Sequence, residues 1–140
     1  MLRVLKIIAF TLAAFAVLSL GSIAVPRPDR ARMFSQETAA IGAIRTIHTM
    51  QVQYFSQYGR YAASLKELGP PAGLADRELV SGTKAGYMFT MVGNASGYAI
   101  HAGPESFGKT GSRTFYSDQT MTIRQKYGQA PATVNSPELK

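Results

Sequence analysis

Tyr87-Met-Phe-Thr-Met-Val-Gly-Asn-Ala-Ser-Gly-Tyr-Ala-Ile-His-Ala102 is the stretch on which the fold class turns. Tyr87, Phe89 and Met91 alternate with Met88, Thr90 and Val92, the period of a strand with one face buried. Gly93-Asn-Ala-Ser-Gly97 interrupts the alternation, and Tyr98-Ala-Ile-His-Ala102 resumes it. The spacing predicts an antiparallel hairpin with a longer loop. Downstream, Thr114-Phe-Tyr-Ser117 and Met121-Thr-Ile-Arg124 read as two further short strands around Asp118-Gln119. Beyond them, 128–140 carries Pro131 and Pro137 and is expected to be an irregular tail.

Upstream the period is different. Ile41, Ile44, Ile47/His48, Gln51, Phe55 and Tyr58 recur at three and four residues, and Ala39, Ala40 and Ala43 add helix propensity. This predicts a long amphipathic helix from about Arg30 to Tyr58, ended by Gly59. Ser64 with Glu67 three residues on predicts a capped helical turn reaching Leu68, and Gly69-Pro-Pro-Ala-Gly73 is a breaker. Asp76–Val80 reads as another short turn of helix. Helix followed by a run of strands gives an α+β domain over 26–140, with the long helix packed on a three- or four-stranded antiparallel sheet.

Ahead of this domain, residues 7–25 contain no charge, while Arg3 and Lys6 precede them. As a helix these 19 residues would run about 28 Å, close to a hydrocarbon core. Segment 1–25 is therefore expected to be a transmembrane anchor held by Ile7, Ile8, Phe10, Leu12, Phe15, Val17, Leu18, Leu20, Ile23 and Val25. A secretory signal cut after Ala24, with small residues at Ser22 and Ala24, is the competing reading. Pro26 and Pro28 are expected to break a helix leaving the membrane, because each removes a backbone donor.

The chain of 140 residues has no cysteine, which excludes disulfide staples, thiolate nucleophiles and cysteine zinc sites. The 15 basic and 8 acidic residues give a net charge of +7 with both signs interspersed, not a polyelectrolyte arm. Catalytic patterns are lacking. Ser81-Gly-Thr-Lys84, Lys109-Thr-Gly111 and Ser117-Asp-Gln119 echo the words of penicillin-interacting serine enzymes, but in the wrong order and without a helix N-terminus to aim Ser81. His48 and His101 fall on different elements with no carboxylate placed to complete a metal or base pair, so no catalytic residue, metal or cofactor is expected. Asn94-Ala-Ser96 matches a glycosylation acceptor and is more simply a turn. Arg45, Tyr54, Tyr58 and Arg60 have the makings of a weak nucleic-acid contact, aromatic stacking beside positive charge. A helix–sheet seam with solvated arginines accounts for the same residues and is preferred.

Several words in this order resemble the type IV pilin and type II secretion pseudopilin family. They are Pro26 with Arg30-Ala-Arg-Met33, Glu37-Thr-Ala-Ala-Ile-Gly-Ala-Ile-Arg-Thr-Ile47, and Tyr58-Gly-Arg-Tyr61 with Leu65 and Leu68-Gly69. Ser81-Gly-Thr-Lys-Ala-Gly-Tyr-Met-Phe89, Gly97-Tyr98, Phe115-Tyr-Ser-Asp-Gln-Thr120 and Ile123-Arg124 complete the set. The resemblance runs from Pro26 to Arg124. It implies a non-enzymatic structural or assembly subunit of the bacterial inner membrane, with its C-terminal domain outside the cytoplasm. Its partners would be the lipid bilayer and other pilin-like subunits met through the N-terminal helix.

The family's processing word, Gly followed by Phe-Thr-Leu-Ile-Glu, is missing. Aligned on Pro26, the Gly falls on Val4 and the Glu on Ala9; aligned on Phe10-Thr-Leu12, the Glu falls on Ala14. Pilin-type maturation and a regular filament are therefore not expected. The alternative is an exported pilin-fold binding module for DNA or an envelope protein, secreted or periplasmic after cleavage at Ala24.

Overall fold

The structure, a computed structural model, describes residues 28–140. The anchor residues Ile7, Ile8, Phe10, Leu12, Phe15, Val17, Leu18, Leu20, Ile23 and Val25, and the expected break at Pro26, lie outside the described residues. Among the described residues no helix is long and apolar enough to cross a membrane.

Helix α1 spans Pro28–Tyr58. Pro28, expected to help break a helix leaving the membrane, stands at the first described position of α1, where the missing N–H has no partner to lose and the fixed φ suits the helix; the chain it would break from lies outside the described residues. Asp29 complements the dipole in the first turn. At the other end Gly59 takes a φ of 71° and donates to the Phe55 carbonyl at 2.8 Å, a left-handed stop. The buried stripe is Glu37, Ala40, Ala43, Ile44, Ile47, His48, Gln51 and Tyr54. Phe55 and Tyr58, expected on this stripe, are exposed. The stripe instead leaves through Tyr54, and the two outer rings cover its margin. Phe55 lies 4.8 Å from the Tyr61 ring and Tyr58 lies 4.4 Å from the Tyr54 ring.

Two short helices connect α1 to the sheet. In α2 (Leu65–Leu68), Ser64 caps by accepting from the Glu67 amide. The Glu67 carboxylate reaches back to the Ala63 amide, one residue earlier than in a standard capping box. In α3 (Arg77–Ser81), Asp76 caps through the Leu79 amide and Gly82 closes the helix with a φ of 95°. Leu65, Leu68, Leu74 and Leu79 point from this segment into the core.

The sheet is a meander of five antiparallel strands in sequence order: β1 (Thr83–Lys84), β2 (Tyr87–Gly93), β3 (Tyr98–Pro104), β4 (Arg113–Asp118) and β5 (Arg124–Tyr127). Phe89 faces Ala102, Met91 faces Ile100 and Ala102 faces Phe115 across the ladders. One face thus carries Tyr87, Phe89, Met91, Ile100 and Phe115 against α1, the single core of the described domain. Gly93 permits the close pass of the 61–63 segment, since a Cβ there would meet the Ala62 carbonyl oxygen at 2.1 Å.

The expected sheet was one or two strands short, because the two-residue β1 has too little pattern to read. The last strand is displaced from Met121–Arg124 to Arg124–Tyr127. The Asp118 carboxylate accepts from the Thr120 amide and hydroxyl, and Met121 adopts a φ of 63°, so 118–122 is spent on the turn. The tail lies outside the five strands but is fastened to β5. The Gln125 amide donates to the Pro137 carbonyl at 2.9 Å, the Leu139 amide donates to Ile123 at 2.8 Å, and Ala132 and Ser136 are buried.

Candidate functional site

Polar side chains on the buried stripe of α1 are the least ordinary feature of the domain, because a buried polar group is costly unless it is bonded. Glu37 accepts from the Ser112 amide at 2.8 Å and the Ser112 hydroxyl at 2.9 Å through Oε1. Through Oε2 it accepts from both Nε and Nη2 of Arg113, at 2.8 and 2.7 Å, two charge-assisted bonds converging on one oxygen. Arg113 Nη1 continues to Gln125 Oε1 at 2.6 Å. The two side chains are 7% and 12% exposed, so this ion pair is shielded from solvent. Burial pushes the Glu37 carboxyl up, but the Ser112 amide, the Arg113 guanidinium and the Ser112 hydroxyl together hold it below the usual carboxylate value. The result is a clamp between the lower turns of α1 and the start of β4.

About one and two turns beyond Ile44, at His48 and Gln51, the pattern repeats with neutral groups. Gln51 donates through Nε2 to the Ala62 carbonyl at 3.0 Å and accepts from the Ala62 amide at 2.8 Å, as a second backbone would. His48 lies between Tyr98 Oη, 2.6 Å from Nδ1, and Ser117 Oγ, 2.7 Å from Nε2. Ser117 donates its one proton to the Thr122 carbonyl at 2.9 Å. His48 Nε2 must therefore carry the hydrogen given to Ser117, leaving Nδ1 to accept from Tyr98. Burial lowers the His48 pKa, opposed by the nearby Asp118, and burial pushes the Tyr98 hydroxyl up to about 12. The neutral imidazole has both nitrogens occupied. The Ser117 hydroxyl, fully buried and already committed, has no base to activate it. This serine–histidine pair ties α1 to β3 and β4; it is not arranged for acyl transfer.

Outside His48, an open groove of about 780 Å³ runs between α1 and the strapped tail, lined by Arg45, Thr49, Val52, Met121 and Leu139 among others. Among the described residues no group of three His, Asp or Glu side chains is placed to hold a metal ion.

The four residues considered for nucleic acid are divided. Tyr54 is buried, with its hydroxyl accepting from Arg60 Nη2 at 3.0 Å. Arg60 also pairs with Glu67 at 3.0 Å and sits over the Tyr54 ring. Tyr58 is exposed beside them, whereas Arg45 lines the groove on another face. Only three of the four come together, one of them with its ring covered. His101 is exposed on the outer sheet face, its ring 5.2 Å from Tyr116. Asn94 Oδ1 accepts from the Ser96 and Gly97 amides, a turn. Ser81 donates to the Glu78 carbonyl and Lys84 pairs with Asp76, so the serine-enzyme words are dispersed.

His48 and Gln51 already stood on the stripe read from the sequence, and Glu37 could have been found as a polar residue at three- and four-residue spacing from Ala40 and Ile44. Ser112 and Ser117 carry no such signal, because their partners are 75 and 69 residues away. No family model matches the chain, and no curated protein matches it in sequence.

Proposed function

We propose that the protein is a non-enzymatic, membrane-anchored, pilin-like or pseudopilin-like subunit of the bacterial envelope, residing in the inner membrane with the sheet domain outside the cytoplasm. The observation that carries this reading is the disposition of α1. It starts three residues after the uncharged segment, its upper turns lie on one face of an antiparallel meander, and its first residues, Asp29–Arg32, Phe34 and Ser35, are exposed. A helix so placed is a stalk between bilayer and domain. The Glu37–Arg113 pair and the His48 network make stalk and domain one body, so a force on one reaches the other.

In such an assembly the partners are the bilayer and neighbouring subunits. The uncharged segment lacks the family's Glu, having Ala9 or Ala14 in its place, and so lacks a charge that must find a partner in the packed helices. Ala13, Ala14, Ala16 and Gly21 still allow close helix approach. Weak lateral association follows, without a fixed axial step.

The test is mass spectrometry of the mature N-terminus together with membrane fractionation and electron microscopy of sheared cells that lack other pilins. A start at Met1 in the membrane fraction, without fibres, supports the anchored subunit. A start at Val25 in the soluble envelope fraction replaces it with an exported binding module. Homopolymeric fibres containing the protein would overturn the argument from Ala9 and Ala14.

A further inference from the structure

The end of the domain nearest the stalk carries an exposed mixture of aromatic and basic side chains. The start of β2, the end of β3, the start of β4 and the end of β5 all lie at this end, by the antiparallel register. The Glu37 clamp fixes it beside the first turns of α1. Phe34, Met33, Arg30 and Tyr127 line one shallow depression here with Arg113, whose guanidinium sits over the Tyr127 ring at 5.6 Å. The neighbouring β3–β4 loop presents Phe107 and Lys109, and is held to the same end because its Glu105 amide donates to the Gly86 carbonyl at 2.9 Å and its Ser112 amide donates to Glu37. Phe34, Tyr127 and Phe107 are 68%, 70% and 44% exposed. Arg30, Lys109 and Lys126 are exposed at this end, against the exposed acids Asp29 and Glu105.

Exposed aromatics ringed by cations are a poor surface to leave in water and a good one for the interface of an anionic bilayer, where rings bury at headgroup level and cations meet phosphates. We propose that this end of the domain is a lipid-contacting face, which rests on an anionic membrane when the uncharged segment is inserted. The proposal rests on the anchored reading above.

Reach supports it. Pro28 follows Val25 by three residues, so it is at most about 11 Å from the uncharged segment. From Pro28 to Glu37, where the clamp joins the sheet, the helix rises only about 14 Å. Tyr127 shares its depression with Arg30 and Phe34, only about 3–9 Å along α1 from Pro28, so a helix inclined toward the bilayer brings this end to a headgroup layer several ångströms deep. The opposite end of the sheet, where Val92 is 73% exposed, has no comparable reach.

The chain has no tryptophan, so one introduced ring reports alone. The full chain carrying Phe107→Trp is reconstituted into phosphatidylcholine vesicles with or without phosphatidylglycerol, and its emission is quenched by lipids brominated near the headgroup. Val92→Trp is the reference. The expected result is a blue shift and strong quenching for F107W in the anionic vesicles, reversed by high salt, with V92W unaffected. Replacing Lys109 and Lys126 by Gln should weaken the contact about 25-fold, roughly fivefold per charge. Flotation of the vesicles reads insertion separately. A chain that floats while F107W behaves like V92W overturns the lipid face and leaves the anchor standing, whereas a chain that does not float removes both. Quenching lost on dilution to one chain per vesicle would assign the face to a second copy and overturn the proposal.

Discussion

At the scale of single residues, His48 is the side chain whose chemistry is most constrained. Its folded form is neutral, with Nδ1 accepting from Tyr98 and Nε2 donating to Ser117. Protonating it would turn Nδ1 into a donor, take from the Tyr98 hydroxyl proton its acceptor, and place a charge where burial already opposes one. The folded pKa is therefore lowered from the unfolded value of about 6.5. Between those two values the unfolded chain binds a proton that the folded chain refuses, so stability rises with pH. It is fully present above about pH 6.5 and is lost as the pH falls through the window below. Urea unfolding should thus show a midpoint that declines from about pH 7.5 to about pH 5.5. The His48→Gln variant should be less stable at the upper pH by about 1–3 kcal/mol, through its disturbed buried bonds, and should lack that decline. A flat wild-type midpoint over this range would contradict the neutral assignment. Further acid should then draw on Glu37 and Asp118, whose lowered carboxyl pKa values add stability above the unfolded carboxylate range that is lost below it.

At the scale of elements, α1 shows what periodicity can and cannot reveal. The three- and four-residue spacing placed Ile44 and Ile47 inward, and both are fully buried. Ile44→Ala should cost about 2–5 kcal/mol in chemical denaturation, whereas Arg45→Ala, on the exposed side, should cost less than about 0.5 kcal/mol. Equal costs would mean that the helix packs by another face. The same spacing misplaced Phe55 and Tyr58, because near a helix end the buried arc is decided by where the following chain turns, here by Gly59 and the return of Ala62 to Gln51. In the sheet, β2 and β3 were legible because each alternates for four or more residues, and β4 because Thr114-Phe-Tyr-Ser117 is a short run rich in strand formers ahead of a turn. β1 was not, being two residues long, and β5 was misplaced because the Asp118–Thr120 turn competes for the residues that alternate. The polar clamps were half legible: the helix contributes residues out of place on an apolar stripe, while the strand contributes ordinary serines whose role exists only after folding.

At the scale of the whole molecule, the question is whether the domain depends on what precedes it. The hydrophobic cluster draws on residues from Ala40 to Ile123, with Leu139 of the tail packed against it. Among the described residues the earliest side chain that bonds into the sheet is Glu37, and Phe34, three residues before it, is largely exposed. Nothing between Asp29 and Ser35 fills a hole in this core. About 107 residues, from Phe34 to Lys140, hold one helix, one sheet face and their polar clamps, which is enough chain to bury a core of its own without disulfides or metal. Shortening α1 to that point removes helix propensity at an exposed end and leaves every packed turn in place, so it should cost about 1 kcal/mol or less. A chain trimmed to 34–140 should therefore be soluble and melt in one cooperative transition, followed by circular dichroism at near- and far-ultraviolet wavelengths together. Trimming further, to begin at Thr38, removes Glu37 and leaves the largely buried Arg113 without its carboxylate, a loss of about 3–5 kcal/mol. The two starts differ by four residues, yet the first should keep the melting behaviour of the full domain and the second should lower the midpoint sharply. Similar midpoints for both would show that the Glu37–Arg113 pair does not join stalk to sheet, and an uncooperative melt of the longer one would show that the core needs the segment before Phe34.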